Sequence, residues 1–280
     1  MKYKIEKNTV QETLIIPLYA RKVCSELYPN FYRDETAVRL IDEIDYDFSE
    51  AGKNSRGLMQ RFGSLEVAMR QNDLAFEVRD YLKSHPNAAV VNLGCGLDST
   101  GRSCDNGSCK IYNLDFPDVI ALRQQLLPAG EREQNIPCDL KDPAWFDKID
   151  ASGGAVFFAS GVFYYFLTEQ VRELVQGMAD AFPGSVLVFD AANRTAVKMI
   201  AKTWLKSAKI KDVGAYFAVS DAPQEISAWD SRLQVTSRGY MLGYTDLKDP
   251  SVSGFFRFLA RVGDGMMKMQ IVKIGFGGKL

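Results

Sequence analysis

The sequence predicts an α/β protein, with a mostly parallel sheet flanked by helices and preceded by a helical cap. Three observations predict it. From residue 88 onward, short apolar runs rich in β-branched residues alternate with helical segments, the pattern of successive βαβ units. Each of those runs ends in glycine or aspartate, residues that favour a turn. The first 85 residues instead carry apolar side chains at three- and four-residue intervals, the spacing of one helical face.

The cap is assigned to residues 1–85 and the sheet domain to 86–280. Within the cap, IPLYARKVCSELY (16–28) and ETAVRLIDEI (35–44) read as helices. From Ser64 to Lys83, the side chains of Leu65, Ala68, Met69, Ala75, Phe76 and Leu82 fall near one face, with Ser64 as the expected N-cap. The strands follow in order: AAVVNLG to Gly94, KIYNLD to Asp115, EQNIPCD to Asp139, GAVFFASG to Gly161 and SVLVFD to Asp190. Between them, PDVIALRQQLL, PAWFDKI and TEQVRELVQGMADAF read as helices, the last with Thr168 as N-cap. Two further strands are expected near 233–242 and 269–276. Residues 195–235, with Trp204, Phe217 and Trp229, are expected either to shape an acceptor pocket or simply to pack.

Composition narrows the function. The 280 residues are 46% hydrophobic and 25% charged, enough to bury a core without a staple. Thirty-four basic residues against 35 acidic ones leave a net charge of −1, without the basic excess of a nucleic-acid binder. His85 is the single histidine, which excludes metal sites needing two or three imidazoles. Its place before Pro86 reads as a surface connection. The five cysteines, Cys24, Cys95, Cys104, Cys109 and Cys138, form no CxxC pair and read as reduced thiols of a cytoplasmic protein. The longest apolar stretch, Ala155 to Leu167, is too short to span a bilayer, and the N-terminus lacks the apolar core of a signal peptide. No metal, nucleic acid or membrane partner is expected, and the oligomeric state is left open.

In open α/β sheets, ligands bind beyond the carboxyl ends of the strands. The first strand ends in Gly94-Cys95-Gly96-Leu97-Asp98, whose glycines let the backbone turn tightly and approach a ligand. Asp115, at the end of the second, can accept hydrogen bonds from both ribose hydroxyls. Cys138, Asp139 and Leu140, at the end of the third, can read an adenine edge. Phe116 beside Asp115, and Ser160-Gly161 after the fourth strand, complete the candidate cofactor-binding set. A dinucleotide fingerprint needs a third glycine where this chain has Ser99. Asp98 also sits where a pyrophosphate would want no negative charge. A cofactor bearing a sulfonium and an amino group, S-adenosylmethionine, tolerates this acidic loop better.

Several ordered motifs resemble the leucine carboxyl methyltransferase family, and within it the tetracenomycin-type O-methyltransferases associated with polyketide biosynthesis. They are TLIIPLYARKV (13–23), IDYDF (44–48), VVNLGCGLDS (90–99), NLDFPDVIALRQQLLP (113–128), DLKDPAWFDKI (139–149), ASGVFYYF (159–166) and FPGSVLVFDAAN (182–193). The resemblance implies a class I, Rossmann-like fold that uses S-adenosylmethionine to methylate an oxygen of a small molecule. It implies that Arg61, in SRGLMQRFG, pairs with the cofactor's methionine carboxylate, a task suited to a bidentate guanidinium. Gly94 and Gly96 would pass beside the methionyl portion, Asp115 would hold the ribose, and Asp139 and Leu140 would contact the adenine. The chain departs from the family pattern at Ser160, where glutamate is usual, and at Thr100 and Ser103, where two arginines are common.

Methyl transfer is an in-line displacement that rests on positioning. A carboxylate acceptor needs no base at neutral pH, whereas a phenol or alcohol benefits from one. The candidate residues near the reacting centre are Tyr19, Arg21, Tyr164 and Tyr165, with Arg21 suited to orienting an anionic acceptor. Two other readings stand beside this one: a cofactor-binding module without turnover, suggested by Ser160 and the missing arginines, and an NAD-dependent oxidoreductase, opposed by Ser99 and Asp98.

Overall fold

The computed structural model describes residues 2–5, 10–46, 57–200, 216–245 and 247–277. Trp204 and the end of the IDYDF motif lie outside the described residues. Helices α1 (Val10–Leu27), α2 (Glu35–Glu43) and α3 (Leu58–Ser84) come first. A short parallel pair, β1 (Tyr3–Lys4) and β2 (Ile44–Asp45), joins them.

The sheet strands are β3 (Ala89–Leu93), β4 (Lys110–Asp115), β5 (Glu133–Pro137), β6 (Ala155–Ala159), β7 (Val186–Ala191), β8 (Leu233–Gly239) and β9 (Gln270–Phe276). They form one sheet in the order β5-β4-β3-β6-β7-β9-β8. Every pairing from β5 to β7 is parallel, and β9 runs antiparallel to both its neighbours. The expected α/β class and mostly parallel sheet are therefore found, as are both late strands. β3, β6 and β7 are buried along their whole length, which is why they read as unbroken apolar runs rather than alternating ones.

The intervening helices are α4 (Thr100–Ser103), α5 (Pro117–Leu126), α6 (Thr168–Ala181), α7 (Arg194–Ile200), α8 (Ala222–Ser227) and α9 (Gly254–Gly265). PAWFDKI forms a short 3-10 turn over Pro143–Lys148, not an α-helix. One sheet face carries α3 and α9, with Leu65, Met69, Val78, Val90, Phe158, Val188 and Phe256 in one cluster. The other carries α6, with Val91, Trp145, Phe157, Val175, Leu187 and Ile274 together. The segment assigned to the cap thus contributes α3 directly to the core of the sheet.

Two expected N-caps move. α3 starts at Leu58 with Gly57 as its N-cap, six residues before Ser64. The Ser64 hydroxyl instead donates to the Arg61 carbonyl inside the helix, the back-bonding open to a mid-helix serine. α6 begins at Thr168 itself, and the Leu167 N–H at its cap donates to the Gln170 side chain. Phe217 is buried against Phe189 and Trp229, so this pair packs in the core. His85 caps the end of α3 and stacks on Tyr81, with ring centroids 4.2 Å apart.

Candidate active site

Strand order reverses between β3 and β6, and a cavity opens beyond their carboxyl ends, the position at which this architecture binds ligands. Gly94, Cys95, Gly96, Leu97 and Asp98 line it from the end of β3; Asp115 and Phe116 from β4; Cys138, Asp139 and Leu140 from β5; and Ser160 and Gly161 from β6. The structure brings these sequence-selected residues to one wall because each follows a parallel strand pointing the same way.

The glycines are required by backbone and by space. Gly94 has φ +66°, and a Cβ there would stand 2.6 Å from Val162 Cγ2. Gly161 has φ +70°, and its Cβ would meet the Arg70 guanidinium at 3.1 Å. Side chains rarely adopt this left-handed region.

Asp115 is nearly buried. One carboxylate oxygen accepts the Gly96 N–H and the other the Phe116 N–H, both at 2.8 Å. Burial raises its pKa, and those two bonds pull the other way. A carboxylate has about four acceptor sites, so Asp115 shapes the glycine turn and retains lone pairs for hydroxyl donors. Arg123 clamps the same turn from behind, donating to the Gly96 and Asp98 carbonyls at 2.9 and 2.7 Å.

Asp98 and Arg21 occupy one another. Arg21 Nη1 lies 2.9 Å from Asp98 Oδ1 and 3.3 Å from Asp34, while Nη2 donates to the Leu97 carbonyl at 3.0 Å. Asp98 Oδ1 also accepts from Gln71 Nε2 and from the Thr100 hydroxyl, both at 2.7 Å. Arg21 reaches the cavity wall, but its charge is spent tying α1 to the glycine turn.

Three candidate residues, Arg61, Tyr164 and Tyr19, lie elsewhere. Arg61 does not line the cavity; it faces Tyr28 and stands 5.9 Å above the Phe256 ring. The arginine that α3 brings to the wall is Arg70, beside Val67 and Gln71. Nine residues are about two and a half turns of helix, so the two arginines leave α3 on opposite sides. The available signal was the Val67, Arg70, Gln71 spacing, at i, i+3 and i+4 on one helical face. Arg70 Nη1 lies 3.1 Å from Asp190 Oδ2, and its buried Nε has no hydrogen-bond partner among the described residues. Burial opposes its charge, but Asp190 and the surrounding groups outweigh burial and raise its pKa.

Tyr165 lines the cavity and is half exposed, whereas Tyr164 turns into the core. Tyr164 faces Asp190, and burial followed by that negative charge pushes its pKa up. It keeps its proton and is not a phenolate base. Tyr19 packs against the α1–α2 apolar cluster, away from the cavity wall.

With this geometry established, comparison with known proteins defines the class and then the family. The fold is that of S-adenosylmethionine-dependent methyltransferases. A structure from Thermobifida fusca superposes with TM-score 0.58 at 17% identity, covering 91% of this chain and 93% of that one. A DUF574 family protein from Streptomyces avermitilis also gives 0.58, at 13% identity, over 92% and 96% of the two chains. Residues 19–179 match the leucine carboxyl methyltransferase family. The chain belongs to that family, whose methyl donor is S-adenosylmethionine. The tetracenomycin polyketide synthesis O-methyltransferase TcmP of Streptomyces glaucescens is 29% identical over 183 residues, 65% of this chain and 66% of that protein. A Parafrankia protein is 28% identical over 123 residues, 40% and 39% of the two chains. The matches therefore span just under two thirds, and about two fifths, of those relatives' lengths.

Proposed function

We propose that this protein is an S-adenosylmethionine-dependent O-methyltransferase acting on a small molecule, in a cytoplasmic setting consistent with its five free thiols. The observation that carries the reading is the continuous wall made by Gly94, Gly96, Asp115, Asp139, Gly161 and Arg70 around one cavity. The residues fit the cofactor. Left-handed glycines keep the wall free of side chains, Asp115 retains acceptor capacity for ribose hydroxyls, and the guanidinium of Arg70 on the wall supplies a cationic partner for a carboxylate. In this reading Arg70 takes the part that the sequence motif assigned to Arg61. Asp139 and Leu140 take the adenine end, with Cys138 and Phe116 beside them.

When bound, the cofactor supplies an electrophilic methyl group. The chain's own work is to hold the acceptor oxygen in line and to keep water away. Tyr165, Phe166, Val162, Leu14 and Pro17 form the apolar portion of the wall suited to that task. The cavity wall carries no imidazole. Asp98 is held by Arg21, Gln71 and Thr100, and Asp115 by two backbone amides. An acceptor that arrives already anionic, a carboxylate or an acidic hydroxyl, needs no base and suits this wall. The part that TcmP takes in tetracenomycin polyketide synthesis supports screening polyketide-like acceptors first.

Isothermal calorimetry with S-adenosylmethionine, S-adenosylhomocysteine and NAD tests the reading. Binding of the first two without the third is expected. Arg70→Ala should weaken S-adenosylhomocysteine binding by about 1.5–3 kcal/mol, the scale of a charged hydrogen bond, while Arg61→Ala leaves it nearly unchanged. NAD binding alone would overturn the assignment.

A further inference from the structure

Asp190, at the end of β7, is 2% exposed and does not line the cavity, yet three parts of the site converge on it. Arg70 Nη1 lies 3.1 Å from Oδ2, the Gly161 N–H donates to Oδ1 at 2.6 Å, and buried Tyr164 faces the same carboxylate. One buried side chain thus joins α3, the turn after β6 and the segment that carries Tyr165. Charge-assisted bonds of this kind are short and directional. A guanidinium held by a buried carboxylate is fixed in rotamer as well as in charge. A second anchor steadies the same helix one turn away, where Tyr240 donates to Glu66 Oε1 at 3.1 Å.

We propose that Asp190 is a positioning residue for the amino-acid end of the cofactor. It acts through Arg70, setting the guanidinium against the Gly161 turn so that the carboxylate-binding and acceptor-facing portions of the wall keep one fixed relation. This rests on the reading of the cavity as an S-adenosylmethionine site. It makes a distinction that simple structural support would not: loss of Asp190 should be felt by ligands that carry the amino-acid carboxylate and not by those that lack it.

The test is calorimetry on the full chain with two probes, S-adenosylhomocysteine and 5′-methylthioadenosine, which share the adenosine and the sulfur but differ in the amino-acid end. Asp190→Asn keeps the size of the side chain and places an amide where Arg70 needs an anion. Its Kd for S-adenosylhomocysteine should rise at least tenfold, while that for 5′-methylthioadenosine stays within twofold. Arg70→Met should show the same selective loss, and the double variant should bind S-adenosylhomocysteine no more weakly than Arg70→Met alone. Asp190→Asn binding S-adenosylhomocysteine within twofold of the unaltered protein, or losing both probes equally, overturns the proposal and leaves the cofactor assignment standing. Should Asp190→Asn fail to fold, the comparison of Arg70→Met with the double variant, in which no unpaired charge is left, decides: equal affinity supports the proposal, and a further tenfold loss overturns it. An unaltered protein that binds neither probe overturns the cofactor reading and this proposal with it.

Discussion

Asp73→Asn is expected to stabilise the fold at neutral pH and to lose that advantage in acid. Asp73 lies on α3, 1% exposed, and its Oδ2 has no hydrogen-bond partner among the described residues. It faces Glu77 on its own helix, Asp264 on α9 and Arg238 on β8. Burial is the largest cause acting on it; Asp264 and Glu77 add like charge, and Arg238 offsets only part, so its pKa is pushed up to about 9. The sign follows from linkage. A group whose folded pKa is raised keeps its proton in the folded chain while the unfolded chain releases it. Its contribution to stability is therefore full below the unfolded value near 3.9 and is lost as pH rises toward 9. Each pH unit in that window costs about 1.4 kcal/mol, so roughly three units between acid and pH 7 amount to about 4 kcal/mol. Asparagine resembles the protonated acid at every pH, and its amide can donate to Asp264 or Glu77. Urea unfolding of the two proteins should show the variant more stable by about 2–4 kcal/mol at pH 7 and by under about 1 kcal/mol at pH 4.5. A variant less stable than the parent at pH 7, or a difference that does not change with pH, refutes the reasoning.

Four further outcomes are expected. Gly94→Ala forces a side chain into φ +66° and to within 2.6 Å of Val162; strain and overpacking together should cost about 2–4 kcal/mol in urea unfolding and abolish S-adenosylhomocysteine binding. Gly96→Ala meets only the tip of Leu14, at 2.9 Å, and should be milder in the same assay. Asp115→Ala strips the acceptor from the Gly96 and Phe116 amides and should destabilise by about 1–3 kcal/mol as well as weakening adenosine binding, read by thermal shift and calorimetry; unchanged melting would remove Asp115 from the turn. Burial pushes the Cys104 and Cys138 thiols up to about 11 and Cys24 up to about 12, so iodoacetamide at pH 7.5 should leave the folded protein unmodified by mass spectrometry and label it only on unfolding.

Much of the fold was legible because its strands are short, apolar and closed by turn residues, features that depend on local conformation and depth of burial. Helix starts were less so. Ser64 has the chemistry of a cap, but its hydroxyl finds the Arg61 carbonyl within a helix already under way, and nothing local distinguishes the two uses. The site divides in the same way. Gly94, Gly96, Asp115, Asp139 and Gly161 were readable from their places at strand ends, and all line the cavity. Arg61, Tyr19 and Tyr164 were drawn from motifs, and the structure turns each away from it.

The sequence by itself determined the alternation of strand and helix, the left-handed turns that only glycine enters readily, and the carboxylates that follow the strands, since each follows from a residue and its near neighbours. Tertiary structure alone decided which arginine of α3 meets the cavity, because that depends on the rotation of α3 about its axis as it packs on the sheet. It also decided which charges neutralise each other. Arg21 finds Asp98 across 77 residues and Arg70 finds Asp190 across 120, and partners so distant are set by how the layers stack around the core, not by any spacing along the chain.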